Sequence, residues 1–445
     1  MKYPKVRNII IIISLISFII SLLLSIGNIV FAIFFPLIFA ILLYWILPKN
    51  LVLTPGLSVA LGVMLIRYVI AIPFFTQSSF KLYFDGFSSD VLKTYILMIV
   101  EMMVILFTIR KYCFKDSINK LEIKHIRYNY LIPIIFVAIS AFGSILDPIP
   151  LSRYHFILEQ TDSLTVTDLD GATTGLPRLL QYTHLLLIPT IFVFFYKKMQ
   201  KRFNTTKLYI LIGLTLLICC FYTDQSRNSM LCPMFGMLFM FYKYFRQYSA
   251  RIITIFAIVG ILSMGYLSVL KFFKTTDVAQ IELHEGGTYS YLNDYFGGFR
   301  EVYIGVKHRE QLSEKIDGMT ILNETILSLP ILNDYKDSDN RTSAFYNNLG
   351  YFTTHIIPTI AQGYVYFGFV FAWLFSFLIF RIILFLDKLY LKNQDIGFSF
   401  LFSYTSCSIA WVHPGNFVLI SNILSNFVIL YLIFYVSKFL ASKIR

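Results

Sequence analysis

The sequence predicts an all-α, polytopic integral membrane protein with about 12 transmembrane helices and one large loop outside the membrane. Hydrophobic residues make up 57% of the 445 residues, charged residues only 14%, and the mean hydropathy is +0.68. A soluble domain needs more polar residues than this to cover its surface. Apolar runs long enough to cross a ~30 Å hydrocarbon core recur along the chain, and only helices satisfy their own backbone there.

We predict a single polytopic membrane domain over residues 1–445. In chain order, the predicted spans are residues 9–26, 29–47, 51–72, 91–109, 131–146, 178–196, 208–222, 229–242, 252–270, 357–380, 398–412 and 417–436. Several are shorter than the about 20 residues of a full crossing. The first span follows a basic start, and Ser25 and Gly27 at its end form a weak small-x-small cleavage pattern of a signal peptide, but we interpret it as a retained span.

The basic residues predict the orientation. With the N-terminus inside, the inner loops carry most of the 38 Lys and Arg residues and few acids, whereas the outer loops carry more acids than bases. The positive-inside rule describes this asymmetry, so both termini are predicted to be cytoplasmic. We interpret the net charge of +13 as attraction to anionic lipid at the inner leaflet, and not as a sign of nucleic-acid binding.

Two predicted outer loops are substantial: a medium loop at residues 147–177 and a large loop at residues 271–355. The inner loops are short and basic, which leaves no room for a soluble ATPase or catalytic domain on that side. Any chemistry is therefore expected outside. Within the large loop, apolar residues recur at intervals of three and four in residues 289–309 and 319–329, which predicts short helices.

Aromatic residues are frequent in the first of these predicted helices. Phe296, Phe299 and Tyr303 fit a helix that lies at the level of the lipid headgroups. Such rings can also stack on a sugar. We favour simple interfacial anchoring over sugar contact for any single ring.

Arg227 is the first candidate for chemistry, in the short outer turn between the seventh and eighth predicted spans. A guanidinium at the membrane surface suits a lipid-linked pyrophosphate, because its planar fork binds two anionic oxygens and keeps its proton. Two alternatives stay open. The side chain can extend to lipid headgroups, or it can pair with Asp224.

Arg67 and Glu101 are ionisable residues inside the third and fourth predicted spans. Such residues usually face a cavity or each other. We favour an ion pair between adjacent antiparallel helices, with a polar substrate path lined by Arg67 as the alternative. Arg178 enters the sixth span from outside and is a candidate phosphate contact or an interface anchor.

His355 lies where the large loop meets the tenth predicted span, near the depth of lipid phosphates. An imidazole there could accept a proton from an attacking hydroxyl or polarise a leaving phosphate. The alternative is an interfacial histidine without a task. The acidic pairs at residues 168–170 and 337–339 are interpreted as solvated loop charge, and no cysteine lies in an outer loop, so we predict no metal site.

The topology and four short motifs resemble the bacterial O-antigen and capsular polysaccharide repeat-unit polymerases, the Wzy-type family. Twelve spans, a medium outer loop after the fifth and the largest after the ninth are similar to that family's arrangement. The pair Ser226 and Arg227 is similar to its Ser-Arg turn. Residues 346–350, 357–359 and 363–368 resemble its small-residue turn, entry proline and polar-Tyr-x-x-Phe-Gly helix start. The Arg-x10-Gly pattern of some members' outer loops is missing here.

The resemblance implies a metal-independent membrane glycosyltransferase of GT-C-like architecture, without cofactor, in the bacterial cytoplasmic membrane. A growing glycan would pass from undecaprenyl pyrophosphate to a sugar hydroxyl of another lipid-linked repeat unit. In this scheme Arg227 stabilises the departing pyrophosphate, and His355 orients or deprotonates the acceptor. Arg300 and Arg341 are further candidate phosphate contacts. The expected partners are the lipid-linked oligosaccharide, membrane lipids, a chain-length regulator protein and a flippase.

Two other functions stay open at this point. A lipid-linked oligosaccharide flippase, or another twelve-helix transporter, would line a cavity with charges such as Arg67 and Glu101 and would have short loops. The long polar stretch at residues 271–355 argues against it. A glycan ligase of the same architecture would hand the chain to a different acceptor, and the sequence separates it poorly from a polymerase.

Overall fold

The computed structural model describes residues 6–24, 32–49, 51–77, 88–112, 131–146, 154–156, 183–223, 227–275, 296–326, 332, 335, 337, 339–349 and 357–443. These residues are predominantly helical. The α-helices are α1 (Val6–Leu24), α2 (Phe34–Ile46), α3 (Pro55–Leu65), α4 (Ala71–Gln77), α5 (Ser89–Tyr112), α6 (Leu131–Leu146), α7 (Leu187–Lys201), α8 (Thr205–Cys219), α9 (Arg227–Tyr244), α10 (Ser249–Thr275), α11 (Phe299–Lys307), α12 (Arg309–Ser313), α13 (Gly318–Thr325), α14 (Thr342–Asn347), α15 (Thr359–Phe371), α16 (Leu374–Lys392), α17 (Ile396–Val412) and α18 (Phe417–Lys443). The remaining elements are a π-helical turn (Ile66–Ile70), two 3-10 helices (Thr183–Leu186 and Arg246–Tyr248) and two strands, β1 (Tyr154–Phe156) and β2 (Phe221–Thr223).

Four helices of the described residues are long and apolar enough to cross a membrane: Val6–Leu24, Pro55–Phe74, Ser89–Lys111 and Leu419–Leu440. Two further pairs pass the same test only when each pair is taken together; α9 with α10 bends by 114°, and α15 with α16 bends by 110°. Counting each pair as one span brings the number to six. The chain is therefore a helical protein with several helices able to span a membrane.

The prediction of one continuous helix over residues 357–380, the tenth span, is wrong. α15 ends before Ala372 and α16 starts at Leu374 in a different direction. Gly368 has a φ of +72°, a backbone conformation that glycine adopts readily. A Cβ on Gly363 would collide with the Ala372 carbonyl oxygen. The two glycines therefore allow the sharp bend. Hydropathy missed the break because the residues on both sides of it are apolar. α16 then continues to Lys392, through residues expected in a cytoplasmic loop.

α17 forms the centre of the helix bundle, and every residue from Ile396 to Ala410 is buried. It packs against α3, α9, α16 and α18. Small residues bring these helices close, because a Cβ on Gly236 would lie 2.8 Å from Cα of Tyr404, and one on Gly56 would collide with Oγ of Ser406. Close approach at small residues is how helices associate where lipid removes the hydrophobic driving force.

A short antiparallel ladder is the exception to the all-α prediction. β1 belongs to the medium outer loop and pairs with β2 in the register Tyr154 to Thr223, His155 to Tyr222 and Phe156 to Phe221. β2 directly follows α8, so the last residues of the seventh predicted span are extended. The extended pairing gives these backbone groups hydrogen-bond partners beyond the helix end, and it ties the medium loop to the end of α8.

The described part of the predicted large loop packs against the helix bundle. α11 packs against α5 and α15, and its residues from Phe299 to Val306 are buried. The Phe299 ring lies 6.1 Å from that of Phe35 in α2, and the Phe296 ring lies 5.5 Å from that of Trp411. The prediction that Phe296, Phe299 and Tyr303 lie at the headgroup level is therefore wrong, because these rings fill space between helices.

Asp387, expected in a cytoplasmic loop, lies in α16 and has 0% exposure. Its Oδ1 accepts hydrogen bonds from the Gly56 N–H (2.9 Å) and from Oγ of Ser406 (2.6 Å). Its Oδ2 accepts them from the Leu57 N–H (3.0 Å) and from Oγ1 of Thr54. A carboxylate here satisfies N–H groups at the start of α3 and complements the helix dipole. One side chain thereby joins α3, α16 and α17.

We expect Asp387→Ala to lower the free energy of unfolding by on the order of 3 kcal/mol, because it leaves buried donors at the start of α3 and in α17 without this acceptor. Unfolding in mixed detergent micelles measures the change. Lys388→Ala, at the exposed neighbouring position, is the matched control and should stay within about 0.5 kcal/mol of the wild type. Equal effects of the two substitutions would contradict the capping role of Asp387.

Candidate functional site

Arg67 lies in the π-helical turn Ile66–Ile70 that joins α3 to α4. A π turn holds an extra residue, so it turns the following side chains away from the α-helical register. Nη1 of Arg67 lies 2.9 Å from Oε2 of Glu101, and both side chains have 0% exposure. The predicted ion pair between Arg67 and Glu101 is confirmed.

Glu101 of α5 binds polar groups of two other helical segments, the π-helical turn and α16. Its Oε2 also accepts a hydrogen bond from the Tyr68 hydroxyl (2.8 Å), and its Oε1 accepts one from Oγ of Ser376 in α16 (2.9 Å). Both oxygens of this buried carboxylate are therefore used, as burial of a charge requires. Nε and Nη2 of Arg67 have no hydrogen-bond acceptor within the described residues. Those two donors are the part of the pair able to bind a further polar group.

His413 lies in the turn between α17 and α18 and is 1% exposed. Its Nδ1 lies 2.8 Å from the Ala410 carbonyl oxygen and donates to it, and its ring packs edge-on against Phe380. Burial lowers the pKa of His413 to about 3, and the charge of Arg67 acts in the same direction. The imidazole is therefore neutral, and its Nε2 is an acceptor without a partner in the part of the chain that the structure describes.

Arg227, the principal candidate from the sequence, is the first residue of α9. Only its backbone position is described. The next residue, Asn228, accepts a hydrogen bond through Oδ1 from Nε1 of Trp411 (2.7 Å). Because Trp411 lies two residues before His413, the start of α9 is close to the end of α17 that carries this histidine.

Arg300 and Glu301 are both buried in α11, although the sequence pattern indicated a loop arginine open to substrate. Nε of Arg300 lies 3.9 Å from Oε1 of Glu301, at the outer limit for an ion pair. The Tyr346 hydroxyl of α14 donates to the carbonyl oxygen (3.2 Å) and Oε2 (3.0 Å) of Glu301. Arg300 is therefore part of a charged cluster inside the folded loop.

Glu324 in α13 holds the large loop to the helix bundle. Its Oε1 accepts a hydrogen bond from the Thr342 N–H (2.7 Å), and its Oε2 accepts them from Nε2 of Gln362 (2.9 Å) and the Tyr366 hydroxyl (2.5 Å). Oε1 of Gln362 in turn accepts the Phe417 N–H at the start of α18 (2.9 Å). This network joins the loop helices α13 and α14 to α15 and α18.

Arg341 directly precedes α14, in an extended conformation, and is half-buried. Its neighbour Thr342 donates to Glu324, so this candidate phosphate contact lies beside the network that anchors the loop. His355 and Arg178, the other two candidates, lie outside the described residues.

Arg309 is a residue that the sequence analysis did not single out for binding. Its guanidinium lies over the Tyr364 ring, 4.9 Å from the centroid, and its Nε donates to the Tyr364 carbonyl oxygen (3.3 Å). Lys93, at the start of α5, is close enough for the charges of the two residues to interact. Nζ of Lys93 donates a hydrogen bond to Oδ1 of Asp90 (2.9 Å). Arg309 and Lys93 place two cations near the start of α5.

The described residues contain no group of three or more His, Cys, Asp or Glu side chains able to hold a metal ion. Comparison of the chain with protein-family models, with curated proteins and with solved structures found no match. Any function must therefore be argued from the residues themselves.

We expect the Arg67–Glu101 pair to show strong coupling in a double-mutant cycle. Glu101→Ala leaves a buried guanidinium uncompensated and should cost about 3–5 kcal/mol of stability, whereas Arg67→Ala with Glu101→Ala together should cost much less than the sum of the single changes. Unfolding in mixed micelles gives the free energies. Glu310→Ala, an exposed acid in α12, is the control. Additivity within about 0.5 kcal/mol would rule out a coupled pair.

His413 should make the protein sensitive to acid. Its folded pKa of about 3 lies below the ordinary value of 6.5, so the unfolded chain takes up the proton first as the pH falls. The neutral His413 contributes fully to the free energy of unfolding above about pH 6.5. This contribution falls by about 2 kcal/mol between pH 7 and pH 5. Thermal unfolding in detergent across this range should show the loss in the wild type.

The matched variants for this pH test are His413→Asn and His308→Asn. The first removes the buried imidazole and should flatten the dependence, whatever its absolute stability. The second changes a half-exposed histidine in the loop and should keep the wild-type slope. Identical slopes for the wild type and His413→Asn would contradict a buried neutral His413.

Proposed function

We propose that this protein polymerises polysaccharide repeat units, as a membrane glycosyltransferase that moves a growing glycan from undecaprenyl pyrophosphate to a lipid-linked repeat unit. In this proposal the chain crosses the bacterial cytoplasmic membrane twelve times in a GT-C-like arrangement, with both termini in the cytoplasm. The folded large loop lies on the outer side. The sequence motifs around Arg227 and residues 346–368 are the basis for the choice of reaction.

The main structural support for the proposal comes from the buried polar atoms of Arg67 and His413. Arg67 has two buried donors, and His413 has one buried acceptor, that lack protein partners among the described residues, and the charge of Arg67 acts on His413. The backbone of Arg227 starts α9 next to Trp411, at the same end of the bundle. Cationic donors and a neutral acceptor in one place suit a substrate that carries both a diphosphate and sugar hydroxyls.

The proposed reaction assigns a separate role to each group. The acceptor hydroxyl attacks C1 of the growing chain, the bond from C1 to the pyrophosphate oxygen breaks, and the hydroxyl proton passes to a base. Arg227 stabilises the negative charge on the departing pyrophosphate. With a pKa of about 3, His413 is too weak a base for the proton transfer, so its Nε2 orients a sugar hydroxyl and His355 serves as the base.

The buried charges support a transporter less well than the proposed glycosyltransferase. The carboxylate of Glu101 already binds Arg67, whereas alternating access would use charged residues that face a water-filled path. The large loop is also anchored by Glu324 to α15 and α18, which suits a fixed cover over a reaction site.

Arg227→Ala should abolish long glycan chains while the protein remains inserted in the membrane. We expect the rate of chain growth to fall about 10²- to 10³-fold, because a cation that stabilises the leaving group is lost. Purified protein in detergent, supplied with lipid-linked repeat units, should form a ladder of products on a gel in the wild type only. Chain growth in detergent needs no second compartment, whereas flipping does.

Arg202→Ala is the matched control, since this exposed arginine follows α7 and is remote in the chain from the proposed site. It should retain the ladder. No ladder with the wild-type protein would argue against the polymerase, and a normal ladder with Arg227→Ala would remove Arg227 from the mechanism.

A further inference from the structure

A small cleft lies where the C-terminal ends of α9 and α16 meet the segment that leads into α3. Its lining residues are Leu53, Phe239, Tyr242, Lys243, Arg246, Tyr390 and Leu391. The cleft lies at the C-terminal end of α9, whereas Arg227 of the proposed reaction is the first residue of this helix. Three lining residues are apolar aliphatic or phenyl side chains, and two are cations, so the cleft combines an apolar floor with a positive rim.

Lys243 contributes charge to this cleft but no free donor. Its Nζ donates to the carbonyl oxygens of Tyr390 (2.7 Å) and Asn393 (2.5 Å) and to Oγ of Ser399 (3.1 Å). An ammonium group has three protons, so these bonds use all of them. The lysine thereby caps the C-terminal end of α16, where a cation complements the helix dipole.

Arg246 is the cation of the cleft that can bind a ligand. It is exposed and starts the 3-10 turn that separates α9 from α10. Tyr242, four residues earlier in the last turn of α9, also lines the cleft and is half-buried. A guanidinium and a phenol at this spacing can bind the oxygens of one phosphate. Below them, Leu53, Phe239 and Leu391 form the apolar floor.

We propose that this cleft binds the phosphate of an anionic phospholipid, with Arg246 and Tyr242 on the phosphate and an acyl chain along Leu53 and Leu391. A lipid fits better than a free anion because the floor is apolar and the cleft lies at the ends of helices. Two exposed bases of α16, Lys388 and Lys392, lie close in the chain to the lining residues Tyr390 and Leu391, which favours a negatively charged headgroup. Under the proposed orientation the lipid belongs to the inner leaflet.

The test uses the full-length protein, delipidated in detergent, and native mass spectrometry with phosphatidylglycerol or phosphatidylcholine of equal acyl length. We expect a one-to-one adduct with phosphatidylglycerol and at least tenfold weaker binding of phosphatidylcholine. Arg246→Ala and Tyr242→Phe should each weaken the phosphatidylglycerol adduct, Arg246→Ala by tenfold or more. Arg251→Ala, an exposed arginine outside the cleft lining, should leave it unchanged.

Three results would overturn the proposal. Equal losses in Arg246→Ala and Arg251→Ala would mean that general surface charge attracts the lipid. Equal binding of the two lipids would mean that no anionic site exists. Displacement of the lipid by millimolar inorganic phosphate would mean that the cleft takes a free anion. The lipid adduct is measured in detergent without glycan substrate. The result of this test therefore does not depend on which leaflet the cleft faces or on whether the protein polymerises glycans.

Discussion

The buried ion pair between Arg67 and Glu101 is the constraint on which the arrangement of the helices depends. An isolated charge in this interior would cost several kcal/mol, so the two residues must meet, and the remaining carboxylate oxygen needs a donor. Oγ of Ser376, in the first turn of α16, donates to that oxygen. The π-helical turn, α5 and the start of α16 therefore meet at Glu101.

A second set of polar contacts fixes the other part of α16. Asp387 accepts the N–H groups at the start of α3, and Lys243 at the end of α9 donates to the carbonyl groups at the end of α16. Each contact satisfies a helix terminus with a charged side chain of another helix. Between these points α17 is enclosed on all sides, and glycines at positions 56 and 236 let its neighbours come close. The polar contacts at the start of α16 and those in its C-terminal part thus determine how α3, α9, α16 and α17 pack.

The part of the large loop that the structure describes behaves as a component of the folded bundle. Its aromatic residues fill gaps against α2, α5 and α17, and Glu324 links it through Gln362 to the start of α18. A cover anchored in this way can exclude water from groups beneath it, which strengthens electrostatic contacts with a phosphate. The neutral His413 and the two unpaired donors of Arg67 lie in such an enclosed environment. This enclosure is the link between the fold and the proposed glycan transfer.

The sequence by itself determined the helical membrane class, the approximate helix positions and the pairing of Arg67 with Glu101, because hydropathy and the cost of lone buried charges are local or compositional properties. The tertiary structure alone decided that Asp387 caps α3, that Phe299 and Tyr303 are buried, that α15 and α16 diverge, and that His413 is enclosed. These features depend on residues far apart in the chain, such as Thr54 and Asp387, which are 333 positions apart. No pattern within a single segment records which distant backbone group a side chain will meet.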